Sequence, residues 1–341
     1  MPAPESYYYS RLGKYEQSVY YAMRKGLEEL APVFSVPAAD IRQMTDIYFC
    51  LRLDHPELFY ATHFSYRKCP SADTVEFQPD YLFEKKKVLE HQKAVSARVQ
   101  KLAAAAEKLD EAGRLQYIHD FICGNVRYDK LKKDYSHEII GPLTQGVGVC
   151  EGIAKSVKVL CDRLGIPCII ALSDSNPEKG IKYRHTWNLV RLGGRWYHLD
   201  ATFDNSLGSP DGIRYDYYLR SDAQLFRDHE PVMMPVPACP SDDLFYYKVR
   251  KLSFTKEEEV EKRALQAAKK GKTLLFHWRG SYLTREQLKR LLEILEAAAK
   301  QNGTSPVISL NWPQAVLEVY FSHEAPAEEL TVQEANEGEL S

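Results

Sequence analysis

The chain has 341 residues, 44% of them hydrophobic, and its 45 basic and 47 acidic side chains leave a net charge of −2. At about 150 residues per domain, that length accommodates two domains, or one domain with an appendage, with ample core either way. So balanced a charge gives no electrostatic basis for binding nucleic acid or an anionic membrane, and no run approaches the ~18 consecutive apolar residues of a membrane span. The segment after Met1, PAPESYYYSRLGKYEQ, has neither the basic start nor the apolar stretch of a signal peptide. A cytoplasmic location is therefore expected, with an extracellular role left open. The seven cysteines (Cys50, Cys69, Cys123, Cys150, Cys161, Cys168 and Cys239) are odd in number and lack paired spacing, which suits a reducing compartment. With no CxxC or HxxxH pair, zinc is disfavoured, and neither metal nor cofactor is expected.

In chain order, the apolar stripe of Tyr20, Met23, Leu27 and Leu30 predicts a helix over 14–30, ended before Pro37. One or two further helical turns are expected around 40–52, then an aromatic strand or bend around Phe59, Tyr60, Phe64 and Tyr66, with His55 and His63 structural. The pattern from 81 to 108 is helical, with a solvated charged face. Leu115, Ile118, Phe121, Ile122 and Val126 mark another helix over 110–128. The following LKKDYSHEIIGPLTQG reads as an irregular loop.

The centre of the chain runs from Gln145 to Asp204, because it delivers a Cys, a His and an Asp in order. Gly146 and Gly148 loosen the backbone before Cys150, and Ile153, Val157, Leu160, Cys161 and Leu164 recur at helical spacing until Gly165 and Pro167 stop the helix. Cys150 is thus expected at a helix N-terminus, where unpaired N–H groups and the helix dipole favour thiolate over thiol. RHTWNLVRL and RWYHLD read as strands joined by Gly193-Gly194, a two-residue hairpin turn. If Leu192 pairs with Arg195, His185 and Asp200 share a face as diagonal neighbours, roughly 7–8 Å apart between backbones, a gap their side chains can close. The carboxylate could then hold the imidazole's tautomer and orientation.

The motifs GVGVCEGIA, HTWNLV and WYHLDATFD, in this order, resemble the transglutaminase-like superfamily, in particular its bacterial transglutaminase-like and kyphoscoliosis-peptidase-type branch. The likeness extends through YDYYLRSDAQLFRDHEP, weakly into the N-terminal region, and not into the last ninety or so residues. It implies an α+β papain-like core with a Cys-bearing helix packed on an antiparallel sheet that carries His and Asp. By that resemblance Cys150 is the nucleophile, His185 the general base and acid, and Asp200 the orienting residue. Gln145, shortly before the Cys, is weighed as an oxyanion-hole donor of the kind papain-like enzymes use, against a plain surface-loop role. Trp187 and His198 are expected behind the triad. The calcium sites of animal transglutaminases find no matching residues here.

Beyond the hairpin, Asp204 is expected to cap the turn FDNSLGSPDG, IRYDYYLR to form a further strand, and SDAQLFRDH a short helix ended by His229, to which no role is assigned. MMPVPACPSDD marks a boundary, with DLFYYKVRKLSF a candidate for one more strand of the core. The remainder reads as helix (256–270), strand (KTLLFHW), helix (284–300) and strand (AVLEVYF). The organisation expected is an N-terminal extension (1–80), a catalytic core (81–250), a small α/β appendage (251–322) and an acidic, disordered tail (323–341). The expected function is cysteine-dependent acyl transfer on peptide or protein amides, most readily hydrolysis. The alternatives are a cross-linking transglutaminase and a non-catalytic peptide-binding scaffold. The partner expected is a peptide or protein substrate, with no nucleic acid and no membrane, and oligomeric state is left open.

Overall fold

The computed structural model describes residues 6–68, 73–208, 212–279 and 283–323. Cys69 and the acidic stretch beyond His323 lie outside them. The chain divides into two units, Met1–Leu172 with His185–Arg195, and Ser173–Arg184 with Trp196–Ser341. Both mix helix and sheet, the α+β class expected.

In the first unit, α1 (Lys14–Glu28) starts where the Glu16 carboxylate accepts the Gly13 N–H (2.8 Å), and α2 (Ile41–Asp54) starts where Asp40 accepts the Gln43 N–H (2.9 Å). Each bond satisfies a donor that the first helical turn leaves without a partner. β1 (Phe34–Pro37), β2 (Ala61–Lys68) and β3 (Thr74–Tyr81) form an antiparallel sheet in the order β1-β3-β2. Alternation buries Val75, Phe77 and Pro79 of β3, and Phe64 stacks on Phe77 with ring centroids 4.7 Å apart. The helical stretch expected from 81 therefore begins only at α3 (Lys85–Ala106), because Tyr81 closes a strand. α4 (Glu111–Asn125) leads into β4 (Arg127–Tyr128), which pairs in parallel with β5 (Val147–Gly148).

Between β4 and β5 the expected irregular loop is ordered by its own side chains. The Asp129 carboxylate accepts the Leu131 and Lys133 N–H groups and the Ser136 hydroxyl, and a short 3-10 turn (Asp134–His137) and a π-helical turn (Gly141–Gln145) follow. α5 (Cys150–Leu164) runs through the middle of this unit and contacts α3, α4 and these turns. It ends at Gly165, whose φ of 76° is left-handed and suits the residue without a Cβ. α5 also packs on β7 (His185–Leu192), the strand that follows β6 (Cys168–Ser173). Asn188 of β7 is anchored there, its amide donating to the Ala154 carbonyl (2.9 Å).

In the second unit β8 (Arg195–Leu199) leads into α6 (Ala201–Leu207) and pairs antiparallel with β9 (Tyr218–Arg220). The register shifts at His198/Leu199, where Leu219, with a φ of 58°, is the extra residue of a β-bulge. Asp204, expected to cap a turn, is placed within a helix. It lies inside α6, buried, and its Oδ1 accepts the Tyr217 N–H (3.0 Å). The expected strand IRYDYYLR shrinks to β9, and α7 (Asp222–Leu225) follows it.

DLFYYKVRKLSF supplies α8 (Tyr246–Val249) and β10 (Ser253–Phe254). β10 pairs in parallel with β11 (Leu274–Trp278) and so joins the C-terminal sheet. That sheet has the order β10-β11-β13-β12, with β12 at Ser305–Asn311 and β13 at Val316–Ser322. Apolar faces of α9 (Glu257–Lys270) and α10 (Arg285–Gln301) close over it, Val260, Ala264, Leu291 and Leu295 meeting Phe276, Leu317 and Val319. β12 and β10 are additions to the expected helix–strand–helix–strand pattern.

The tightest approach to α5 is at Gly152. A Cβ there would lie 2.2 Å from the Ser136 carbonyl oxygen, a backbone atom that cannot swing aside. Alanine is ordinarily better than glycine in a helix by about 1 kcal/mol, but here the overlap dominates. Gly152→Ala is expected to lower stability by about 1–3 kcal/mol in urea unfolding. A variant as stable as the parent would show that the loop does not press on the helix.

Candidate active site

Cys150 is the first residue of α5 and is half-buried. The residue before it, Val149, has no side chain able to cap the helix, and the first-turn N–H groups of a helix have no intrahelical acceptor. Val149 itself is fixed by its N–H to the Ser136 carbonyl and by its own carbonyl, which accepts from Ile153, both at 3.0 Å. Of the two glycines upstream, Gly146 adopts a left-handed φ of 66°, whereas Gly148 is needed for space, since a Cβ would lie 2.6 Å from the Pro142 ring. Gln145 ends the π turn. It is exposed, with its amide donating to the Thr144 hydroxyl (3.3 Å).

Glu151, next to Cys150 in sequence, belongs to an ionic cluster that the sequence alone does not single out. Lys155, 1% exposed, donates to Glu138 at 2.8 Å and to Glu151 at 2.7 Å, and Arg52 pairs with both carboxylates. His137 lies 3.4 Å from Glu151. Burial pushes the Glu138 carboxyl above its usual value despite its two cations. Burial also opposes ionisation of Glu151, but Lys155, His137 and Arg52 outweigh it and hold that carboxyl well below the usual range.

His185 opens β7, and its ring stacks on Trp187 (centroids 5.8 Å apart, planes 17° apart), which is 1% exposed. β7 ends in a turn of two residues, Gly193 and Gly194, with φ of 56° and 81°. Both are positive, as a type I′ hairpin turn demands. Asp200 follows β8 and is the N-cap of α6, its Oδ1 accepting the N–H groups of Thr202 (2.8 Å) and Phe203 (3.0 Å). Its Oδ2 accepts from His229 Nε2 at 2.9 Å.

His229, left without a role by the sequence, donates through its other ring nitrogen to Asp228 Oδ1 (2.8 Å). A ring that donates at both nitrogens is an imidazolium. Burial disfavours that charge, but Asp200 and Asp228 outweigh burial and raise its pKa. His198 takes a different partner, Asp222, at 2.8 Å. Donor atoms of His198, Asp222 and Cys239 lie within 4.8 Å of one another and could in principle hold a metal ion. Asp222 bonds His198 through one oxygen and the Cys239 N–H through the other.

Residues 96–201 match the Transglutaminase-like superfamily. The matched span of that family includes Cys150, His185 and Asp200. Over 173 residues, 44% of this chain, the sequence is 25% identical to mouse (Mus musculus) kyphoscoliosis peptidase, and the match spans 26% of that protein's length. Among solved structures, a TGase is similar over 42% of this chain and 44% of its own, with a TM-score of 0.29 at 10% identity. A candidate cysteine protease from Cytophaga hutchinsonii is similar over 44% of this chain and 64% of its own, with a TM-score of 0.28 at 17% identity. Among the described residues, no helix is long and apolar enough to cross a membrane.

The His229 pairing has a defined pH signature. A group whose folded pKa is raised stabilises the fold fully below its unfolded value, and the contribution is lost as pH rises through the folded value. The urea midpoint of the parent is therefore expected to fall above neutrality relative to that of His229→Gln, which lacks the titrating ring. Parallel pH profiles would contradict the ionic pairing.

Proposed function

We propose that this chain is a cysteine-dependent acyl-transfer enzyme acting on peptide or protein amides, with Cys150 as nucleophile, His185 as general base and acid, and Asp200 as the residue that orients His185. The observation that carries this reading is the placement of a half-buried cysteine at the uncapped start of a central helix, within the segment that matches the transglutaminase-like family. A helix N-terminus favours a thiolate and offers backbone N–H groups to an oxyanion. The stacked Trp187 supports His185 as a ring held in one orientation, and the two-residue glycine turn is the one required by the strand register on which the pairing of His185 with Asp200 rests. Gln145, exposed and turned toward Thr144, is not needed, since N–H groups of the helix start can serve the oxyanion.

In the reaction, His185 takes the Cys150 proton and the thiolate adds to the amide carbonyl. The tetrahedral intermediate collapses as the imidazolium protonates the leaving amine, and the thioester is then resolved by water activated at the same imidazole. Water is favoured over an amine because the loop before Cys150 (Thr144, Gln145, Gly146 and Val147) carries no aromatic wall to exclude it.

Iodoacetamide at neutral pH is expected to modify Cys150 faster than any other cysteine, since burial pushes the Cys50 thiol up to about 12 and raises Cys161 and Cys239 as well. His185→Ala should slow that modification. With a glutamine-containing peptide, release of ammonia or peptide fragments should exceed incorporation of a labelled primary amine, and both should vanish in Cys150→Ala. Amine incorporation outrunning hydrolysis at millimolar amine would assign the chain to cross-linking instead.

A further inference from the structure

Asp200 is gripped from two directions. One oxygen takes the N–H groups of Thr202 and Phe203, and the other takes His229. The His229 ring is in turn fixed by Asp228 at its far nitrogen and lies against the Phe203 ring, with centroids 4.6 Å apart. Asp228 is held by the Tyr217 hydroxyl (2.6 Å) and by the Gln314 amide, which donates to both of its oxygens at 3.1 Å.

Gln314, fully buried, lies between β12 and β13. Its amide has one workable orientation: the NH2 faces the Asp228 carboxylate and the Gln224 carbonyl (3.2 Å), while the oxygen accepts from the Arg220 guanidinium (2.8 Å). Arg220 is itself buried and stacked on Phe245, 3.7 Å from the ring centroid. The hydrogen bonds thus run unbroken from Asp200 through His229, Asp228 and Gln314 to Arg220.

We propose that His229 is a positioning residue for Asp200, and that the chain through Asp228 and Gln314 makes the turn between β12 and β13 part of the apparatus that orients the acyl-transfer site. This rests on the role given to Asp200 above. A carboxylate that orients an imidazole must not rotate, and Asp200 has one oxygen committed to a helix start. The bond from His229 at its second oxygen then sets the plane of the group. The imidazolium also offsets part of the charge of two carboxylates buried together, which could otherwise ionise side by side only at high cost. With Gln314 supplied from more than eighty residues downstream in sequence, the C-terminal sheet would contribute to the site without touching a reacting atom.

The test is a double-mutant cycle on the full chain, with iodoacetamide as the probe and Cys150 alkylation followed by mass spectrometry. Asp200→Asn should slow alkylation by destabilising the imidazolium that accompanies the thiolate. His229→Gln, which keeps a donor toward Asp200 but gives up the ionic bond to Asp228, should slow it about tenfold, the scale seen when a group that orients a functional side chain is removed. Gln314→Met should act in the same direction. In the Asp200→Asn background neither change should have any further effect, because their action passes through Asp200.

Additive slowing in the double variants overturns the proposal, as does a His229→Gln chain that reacts at the parent rate while Asp200→Asn is slow. An Asp200→Asn chain that reacts at the parent rate removes the role of Asp200 itself, and the proposal with it. The parent chain gives a reading that does not depend on any variant folding. Nitrogen NMR of 15N-labelled histidine should find that both His229 ring nitrogens stay protonated to a higher pH than an ordinary histidine does. A ring that loses its proton at or below the ordinary histidine value refutes the double donation.

Discussion

The first unit depends on how the N-terminal end of α5 is seated against the loop before it. Val149 and Gly152 both meet the Ser136 carbonyl, one through a hydrogen bond and the other through the absence of a Cβ, while the loop that offers that carbonyl is wound around Asp129. One turn further along, buried Lys155 reaches back to Glu138 in the same loop and to Glu151 on its own helix. Removing one partner from such a buried pair costs about 3–5 kcal/mol, because the other charge is left in low dielectric. Those contacts leave the helix little freedom to slide or roll, so the direction in which Cys150 points is determined by loop and helix together. The same constraint explains the sequence GVGVCEGIA: its glycines answer to a left-handed φ and to two close approaches, while its glutamate answers to a lysine four residues on.

In the second unit, charge again does what apolar packing alone would leave loose. Arg214 pairs with Asp216 through two bonds (3.1 and 2.8 Å) and with Glu318 of β13 at 3.3 Å, while Asn311 of β12 and the Tyr247 hydroxyl complete the shell around Asp216. Nonpolar replacements can stabilise a fold as well as buried ion pairs do, but they tolerate shifts that directional bonds do not. The C-terminal sheet is thus keyed to the 214–220 segment at fixed positions, and the polar chain that ends at Asp200 starts from that keyed surface.

Much of this was legible in the sequence wherever a local rule was strong. Helices beginning after Asp40 and Thr284 carry their caps in the sequence, both with side chains that accept an N–H three residues on, and the Gly-Gly turn announces two positive φ values. Cys150 could be assigned to a helix start because the periodicity begins at once and no earlier residue extends it. Asp200 was harder. Its role as the N-cap of α6 hides behind a helix of seven residues, too short for periodicity to register. β3 and β12 were missed since each contains a proline, a residue that normally argues against a strand. His229 and the Lys155 cluster were invisible for a different reason: their partners lie up to 86 residues away, and only the folded chain reveals which buried charges meet.

Pro306, which obscured β12 in the sequence, has a use once the strand is in place. Among the described residues β12 is an edge strand, with Val307 59% exposed on it, and an exposed edge invites another chain to add a strand through its unpaired N–H and C=O groups. A proline near the start of that edge interrupts the row of donors, so an incoming strand meets a gap where its ladder would begin. At the opposite edge β10 is only two residues long and pairs with His277 and Trp278 alone. At its β12 edge the C-terminal sheet thus carries, in its own backbone, an obstacle to sticking to copies of itself.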